Sequence, residues 1–183
     1  MRRSLLALIL AFTVSLPLLA QQAPATPWRA KVADAMPLLG HRNWILVVDS
    51  AYPLQVAPGI ETIETNADQL EVVQAVLHAI NRSIHVRPLI TMDAELPLVP
   101  EDDAPGVTVY RNHIADILHD YPIAYQPHAQ TLTEIDKIAG QYHILVLKTN
   151  MTVPYTSVFI RLDCKYWSAD AEQRLRAKMP ANP

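Results

Sequence analysis

A histidine and an aspartate bracket one short hydrophobic run: His41 stands just ahead of Trp44 to Val48, and Asp49 follows it directly. Histidine titrates near neutral pH and suits proton transfer, while a carboxylate accepts hydrogen bonds from ligand hydroxyls. The run between them is apolar and rich in β-branched residues, the pattern of a strand covered on both faces, with Gly40 before it and Pro53 after it as punctuation. An extended strand rises about 3.3 Å per residue, so His41 and Asp49 sit at opposite ends unless the flanking loops fold back. Further along, Tyr155 and Ser157 alternate within Pro154 to Ile160 and can face the same side of a strand.

The elements that must position these groups read as alternating helices and strands. Trp28 to Leu39 is expected as a helix with Thr26 or Pro27 at its start and Gly40 as its stop, although Pro37 distorts its last turn. Ile60 to Thr65 reads as a short strand. Asn66 to Arg82 is the clearest helix, capped by Asn66 or Asp68 and striped by Leu70, Val73, Leu77 and Ile80. His85 to Met92 follows as a strand, Val107 to His119 as a helix and Ile123 to Gln126 as a strand. Thr131 to Ala139 is expected as a helix stopped by Gly140. Tyr142 to Lys148 and Val153 to Leu162 then read as strands, and Ser168 to Lys178 as a polar terminal helix or tail. This alternation predicts an α/β fold of three layers, α/β/α, around a mixed, largely parallel sheet. In such folds polar side chains collect where strands end, which favours Asp49 and the loop at Asn150 and Met151.

Composition bounds the possibilities. The chain has 183 residues, half of them hydrophobic and 18% charged, which excludes disorder and allows one domain with a real core. Met1-Arg2-Arg3 followed by uncharged, apolar Ser4 to Ala20 has the form of a secretory signal peptide, which predicts a periplasmic or secreted protein. Cleavage after Ala20 or near Ala23-Pro24-Ala25 leaves Gln21 to Pro27 as a Pro-rich linker and no membrane anchor. Residues 1–20 contain two arginines and no acid, so their loss moves the formal charge from −3 to −5. An acidic mature chain carries no footprint for nucleic acid or anionic lipid. Cys164 is the lone cysteine and cannot form an internal disulfide.

The segment Gly40-His41, Ile45 to Val48, Asp49-Ser50-Ala51 and Tyr52-Pro53 resembles the D-ribose pyranase and L-fucose mutarotase family (RbsD/FucU-like). Pro154 to Ile160 resembles that family's C-terminal Tyr-x-Asn strand, and Tyr110-Arg111-Asn112 and Pro127-His128 fall between the two in the same order. The resemblance covers roughly Trp28 to Leu162 and implies a mutarotase domain over 28–167 with a tail over 168–183. It implies interconversion of ring forms or anomers of a reducing monosaccharide by acid and base ring opening, without metal or redox cofactor. By resemblance His41 is the proton donor, and Asp49, His128, Tyr155, Thr156 and Ser157 bind the sugar. A homo-oligomer, a decamer in relatives, is implied in the same way. The chain departs from the pattern at Asn43, where an acid is usual, at Ser157 in place of Asn, at Leu132, and at Lys148 to Met151 in place of an acidic turn. Those departures keep a second reading open, a catalytically silent sugar-binding or structural relative.

Other chemistries are poorly supported. The histidines at 78, 85, 113, 119 and 143 show no zinc-ligand spacing. Glu101-Asp102-Asp103 are adjacent and cannot flank a glycosidic bond, which makes them a solvated approach to the next helix. Ser50 lacks the Gly-x-Ser-x-Gly elbow of a hydrolase.

Overall fold

The uninterrupted apolar strands take the middle of a sheet, where both of their faces are covered. The computed structural model describes residues 27–180, so the expected signal peptide and nearly all of the linker lie outside the described residues. In chain order the described elements are α1 (Pro27–Ala35), β1 (Trp44–Val48), β2 (Ile60–Glu64), α2 (Gln69–Arg82), β3 (Val86–Asp93), a 3-10 turn (Leu96–Leu98), α3 (Val107–Leu118), β4 (Ile123–Gln126), α4 (His128–Ile138), β5 (Ile144–Lys148), β6 (Val158–Cys164) and α5 (Ala169–Arg176). The six strands form one sheet in the order β2-β5-β1-β6-β3-β4. β6 alone runs against its neighbours β1 and β3, while the β1–β5, β2–β5 and β3–β4 pairs are parallel.

Alternation along the strands sorts the core into two layers. One face carries Ile45, Val47, Leu145, Leu147, Val158 and Ile160 and is covered by α1, α2 and α3 through residues such as Trp28, Val73, Leu77 and Ile114. The other carries Trp44, Leu46, Val48, Val146 and Phe159 and is covered by Ile135 of α4 and by Ala139 directly after it. The result is the α/β/α arrangement around a mixed, largely parallel sheet that the sequence pattern predicts.

The registers fix the ends of the sheet. Trp44 lies opposite Arg161 and Val47 opposite Val158, while Val86 lies opposite Cys164 and Met92 opposite Val158. The carboxyl ends of the five parallel strands therefore share one edge with the start of β6. Several boundaries differ from expectation, and four of the differences have a bearing on the site or a clear cause. α1 stops at Ala35, before Pro37, which has no N–H to continue the ladder. β3 extends to Asp93. α4 begins at His128, three residues before the expected Thr131. β6 begins only at Val158, because Pro154 lacks an N–H and Tyr155 adopts a left-handed φ of 59°, so the segment from Val153 turns before it pairs.

Candidate functional site

Asp49, Asp93, His128 and Tyr155 meet at the edge where the parallel strands end. Asp49 follows β1, Asp93 closes β3, His128 opens α4 directly after β4, and Tyr155 lies in the loop that feeds β6. A cleft of about 470 Å³ opens there, lined by Asp49, Tyr52, His128, Val153 and Tyr155 among others. Crevices at the carboxyl ends of parallel strands are the usual ligand sites of α/β sheets, because the strand interiors are buried and only the loops face solvent.

His128 is held from three directions. Its backbone N–H, unpaired within the helix because it opens α4, is donated to the Glu95 carboxylate, with both oxygens within reach at 3.0 and 3.1 Å. Its ring Nδ1 lies 3.0 Å from Oδ2 of Asp93. Tyr155 approaches the imidazole edge-on, with ring centroids 5.6 Å apart and planes at 84°. With Nδ1–H donated to the carboxylate, a neutral ring keeps its lone pair on Nε2, the atom free to exchange a proton with a ligand.

Asp93 is fully buried, and its Oδ1 makes no hydrogen bond among the described residues. Burial pushes its carboxyl up to about 6, against the pull of His128, and Glu95 and Asp49 add to the rise. Tyr52 is likewise held far above the ordinary phenol range, first by burial and then by Asp136, Asp93 and Asp49. It therefore stays a hydroxyl, donating to Gln55 at 3.1 Å, which in turn donates to Asp136 at 3.1 Å. Asp49 accepts from the Ala51 backbone N–H at 2.8 Å through Oδ1, which closes the turn below the cleft. The Lys148 ammonium is bound to the Tyr52 carbonyl at 2.8 Å.

The structure brings together Asp49, His128 and Tyr155 and separates the other expected site residues from them. His41 is exposed at the far end of β1, beside the carboxyl end of β6, where Arg42 N–H bonds Leu162 O and Leu162 N–H bonds Asn43 O. The flanking loops do not fold back, and the strand between spans roughly 16 Å at 3.3 Å per residue. Within one chain His41 cannot touch a ligand held by His128. Asn43 closes the turn beside it, accepting from Gly40 N–H at 2.8 Å and donating to His143 O at 3.1 Å. Thr156 is buried and its hydroxyl is spent on Val153 O at 2.8 Å, while Ser157 is buried with Oγ lacking a hydrogen-bond partner among the described residues, and neither side chain lines the cleft.

Asp93 and Glu95 are the residues that sequence reasoning missed. The signal was available in Met92-Asp93-Ala94-Glu95, two acids at the end of a strand, the same position that singled out Asp49. Elsewhere, His85 is tied to Ser83 Oγ at 2.8 Å and Leu39 O at 2.9 Å, a structural role. Among the described residues no group of three or more histidine, cysteine or acidic side chains is arranged to hold a metal ion.

No protein-family model matches the sequence, and no curated protein matches it by sequence. In three dimensions the chain is similar to Bacillus subtilis RbsD in complex with D-ribose, with a TM-score of 0.52 and 13% identity over 72% of this chain and 90% of that one. It is similar also to the fucose mutarotase of Streptococcus pneumoniae in complex with L-fucose, with a TM-score of 0.52 and 14% identity over 76% of this chain and 96% of that one. At these identities the likeness is one of fold: the chain has the RbsD/FucU-like α/β architecture.

Proposed function

We propose that this protein is a monosaccharide mutarotase or pyranase that opens and recloses the ring of a free reducing sugar, with His128 as its proton-transfer group. The observation that carries this reading is the pairing of His128, which lines the cleft, with the buried Asp93 behind it at 3.0 Å. Support comes from the shared fold with a ribose-bound protein and a fucose mutarotase.

Ring opening needs one proton delivered to the ring oxygen and one removed from the anomeric hydroxyl, and reclosure reverses both. The anomeric C–O ring bond breaks as the carbonyl forms, with no change of oxidation state and no group lost. Nε2 of His128 faces the ligand as base or, once protonated, as acid, while Asp93 holds the ring orientation from the other side and stabilises the imidazolium. Asp49 accepts a sugar hydroxyl, and the Tyr155 ring offers an apolar wall for a pyranose face. Carboxylates at Asp49, Asp93 and Glu95 suit an uncharged polyol rather than a phosphorylated sugar. His41 reaches such a cleft only from a second copy, in keeping with the homo-oligomer that the resemblance implies. The signal-peptide pattern of residues 1–20 supports a site of action outside the inner membrane.

The test is exchange NMR between ring forms of ribose, fucose and other reducing sugars, using purified protein. Wild type should accelerate exchange, and His128→Ala should lower the acceleration by about 10²–10⁴-fold, the usual worth of a positioned acid-base group. Full activity in His128→Ala would refute the assignment. Saturable sugar binding without faster exchange would instead support the silent relative, a reading favoured by the inward-facing Thr156 and Ser157.

A further inference from the structure

We infer that Gln69 is a positioning residue: together with Tyr110 it clamps the Thr156 carbonyl, and through it sets Tyr155 against His128. Gln69 is the first residue of α2 and is fully buried. Its amide nitrogen donates to the Tyr110 hydroxyl at 3.1 Å and to the Thr156 carbonyl. Tyr110, itself buried on α3, donates its hydroxyl proton to that same carbonyl at 2.6 Å. The Gln69 carbonyl oxygen lies 3.0 Å from the Thr149 hydroxyl, which shares its single proton between Gln69 and Val48 O. Two helices thus reach across the core to hold both ends of the loop between β5 and β6.

That loop forms one wall of the cleft. Its first residues are fixed by Asn150 N–H to Ala67 O at 3.1 Å and by Ser50 N–H to Met151 O at 2.8 Å. Its last are fixed by the clamp on Thr156. Thr152 to Tyr155, which line the cleft, span the interval, and Tyr155 sits there with φ at 59°, a conformation that a bulky residue keeps only when its neighbours are held. The edge of its ring against the His128 imidazole then follows from where Thr156 is pinned. A wholly apolar contact between α2, α3 and the loop would fill the same space without desolvating an amide and a phenol. Here every polar atom of Gln69 is aimed at the site loop or at the tyrosine that binds it.

The kinetic part of this inference rests on the mutarotase reading, and the spectroscopic part does not. The experiment compares wild type with Gln69→Met, which keeps the length and removes the hydrogen bonds, and with Tyr110→Phe. We expect both variants to fold, to shift the His128 ring-proton resonances toward their position in Tyr155→Leu, and to raise KM for the sugar several-fold more than they lower kcat. The resonance of His85, far from the loop, should stay fixed. Unmoved His128 resonances in both folded variants would overturn the inference and leave Gln69 as a core residue. If wild type turns over no sugar, the function fails while the NMR comparison still decides the positioning. Should Gln69→Met not fold, Tyr110→Phe carries the same test.

Discussion

A buried carboxyl beside an imidazole makes Asp93 a residue on which stability turns and, under the proposed function, chemistry as well. Its folded value, raised to about 6 by burial, means that the native protein keeps a proton which the unfolded chain releases near pH 4. Between those values the native state binds more protons, so this contribution to stability falls as pH rises from about 4 to 6, by about 3 kcal/mol at most. Asp93→Asn removes the titration yet keeps an oxygen to accept Nδ1–H. In denaturant titrations the stability of wild type relative to Asp93→Asn should decline across that window and be flat above about pH 7. A flat difference throughout would place the proton elsewhere. Ring exchange should fall in the same variant, since an amide holds the imidazole but cannot stabilise its protonated form.

At the scale of elements, two contacts fix where α3 and β2 begin. Gly106 precedes α3 at its N-cap position, with φ at 95° and no side chain to cap the helix, and Glu101 supplies the cap instead, accepting from Gly106 N–H at 2.5 Å and Thr108 N–H at 2.9 Å. These bonds hold the Glu101 carboxyl down at about 2. Its stabilising effect is thus present above the unfolded value near 4.5 and lost as pH falls towards 2. Glu101→Gln should lower the melting temperature at pH 7 and lose that deficit at pH 2; an equal deficit at both would exclude a charge-dependent cap. The acidic trio there, read as a solvated approach, thus contains one specific capping residue. At the opposite side, a Cβ on Gly59 would stand 2.3 Å from Ala139 O and 2.8 Å from Tyr142 O, both rigid backbone. Gly59→Ala should force β2 away from the turn between α4 and β5 and destabilise the fold by about 1–3 kcal/mol, the range for overpacking. An unchanged denaturation midpoint would show that the turn yields freely.

For the whole molecule, the sheet sets apart two edges with different duties. His41 belongs to the edge where β1 begins, and His128 to the edge where it ends. If each chain acts alone, His41→Ala leaves sugar exchange untouched while His128→Ala removes it; if sites are shared between copies, mixing the two inactive variants restores part of the activity. The α/β class, the largely parallel sheet and nearly every element were legible in the sequence, because apolar periodicity at strand and helix spacing is a local property of the chain. Asp49 was legible for the same reason, as a polar residue directly after a buried strand. The pairing of Asp93 with His128 was not, since 35 positions separate them and only the parallel register of β3 and β4 brings them to one edge. Nor was the inward turn of Thr156 and Ser157, which depends on where β6 starts to pair. The sequence by itself determined which segments are buried and which ends are polar; the tertiary structure alone decided which polar ends meet, because strand order and direction are set by packing between segments distant in the chain.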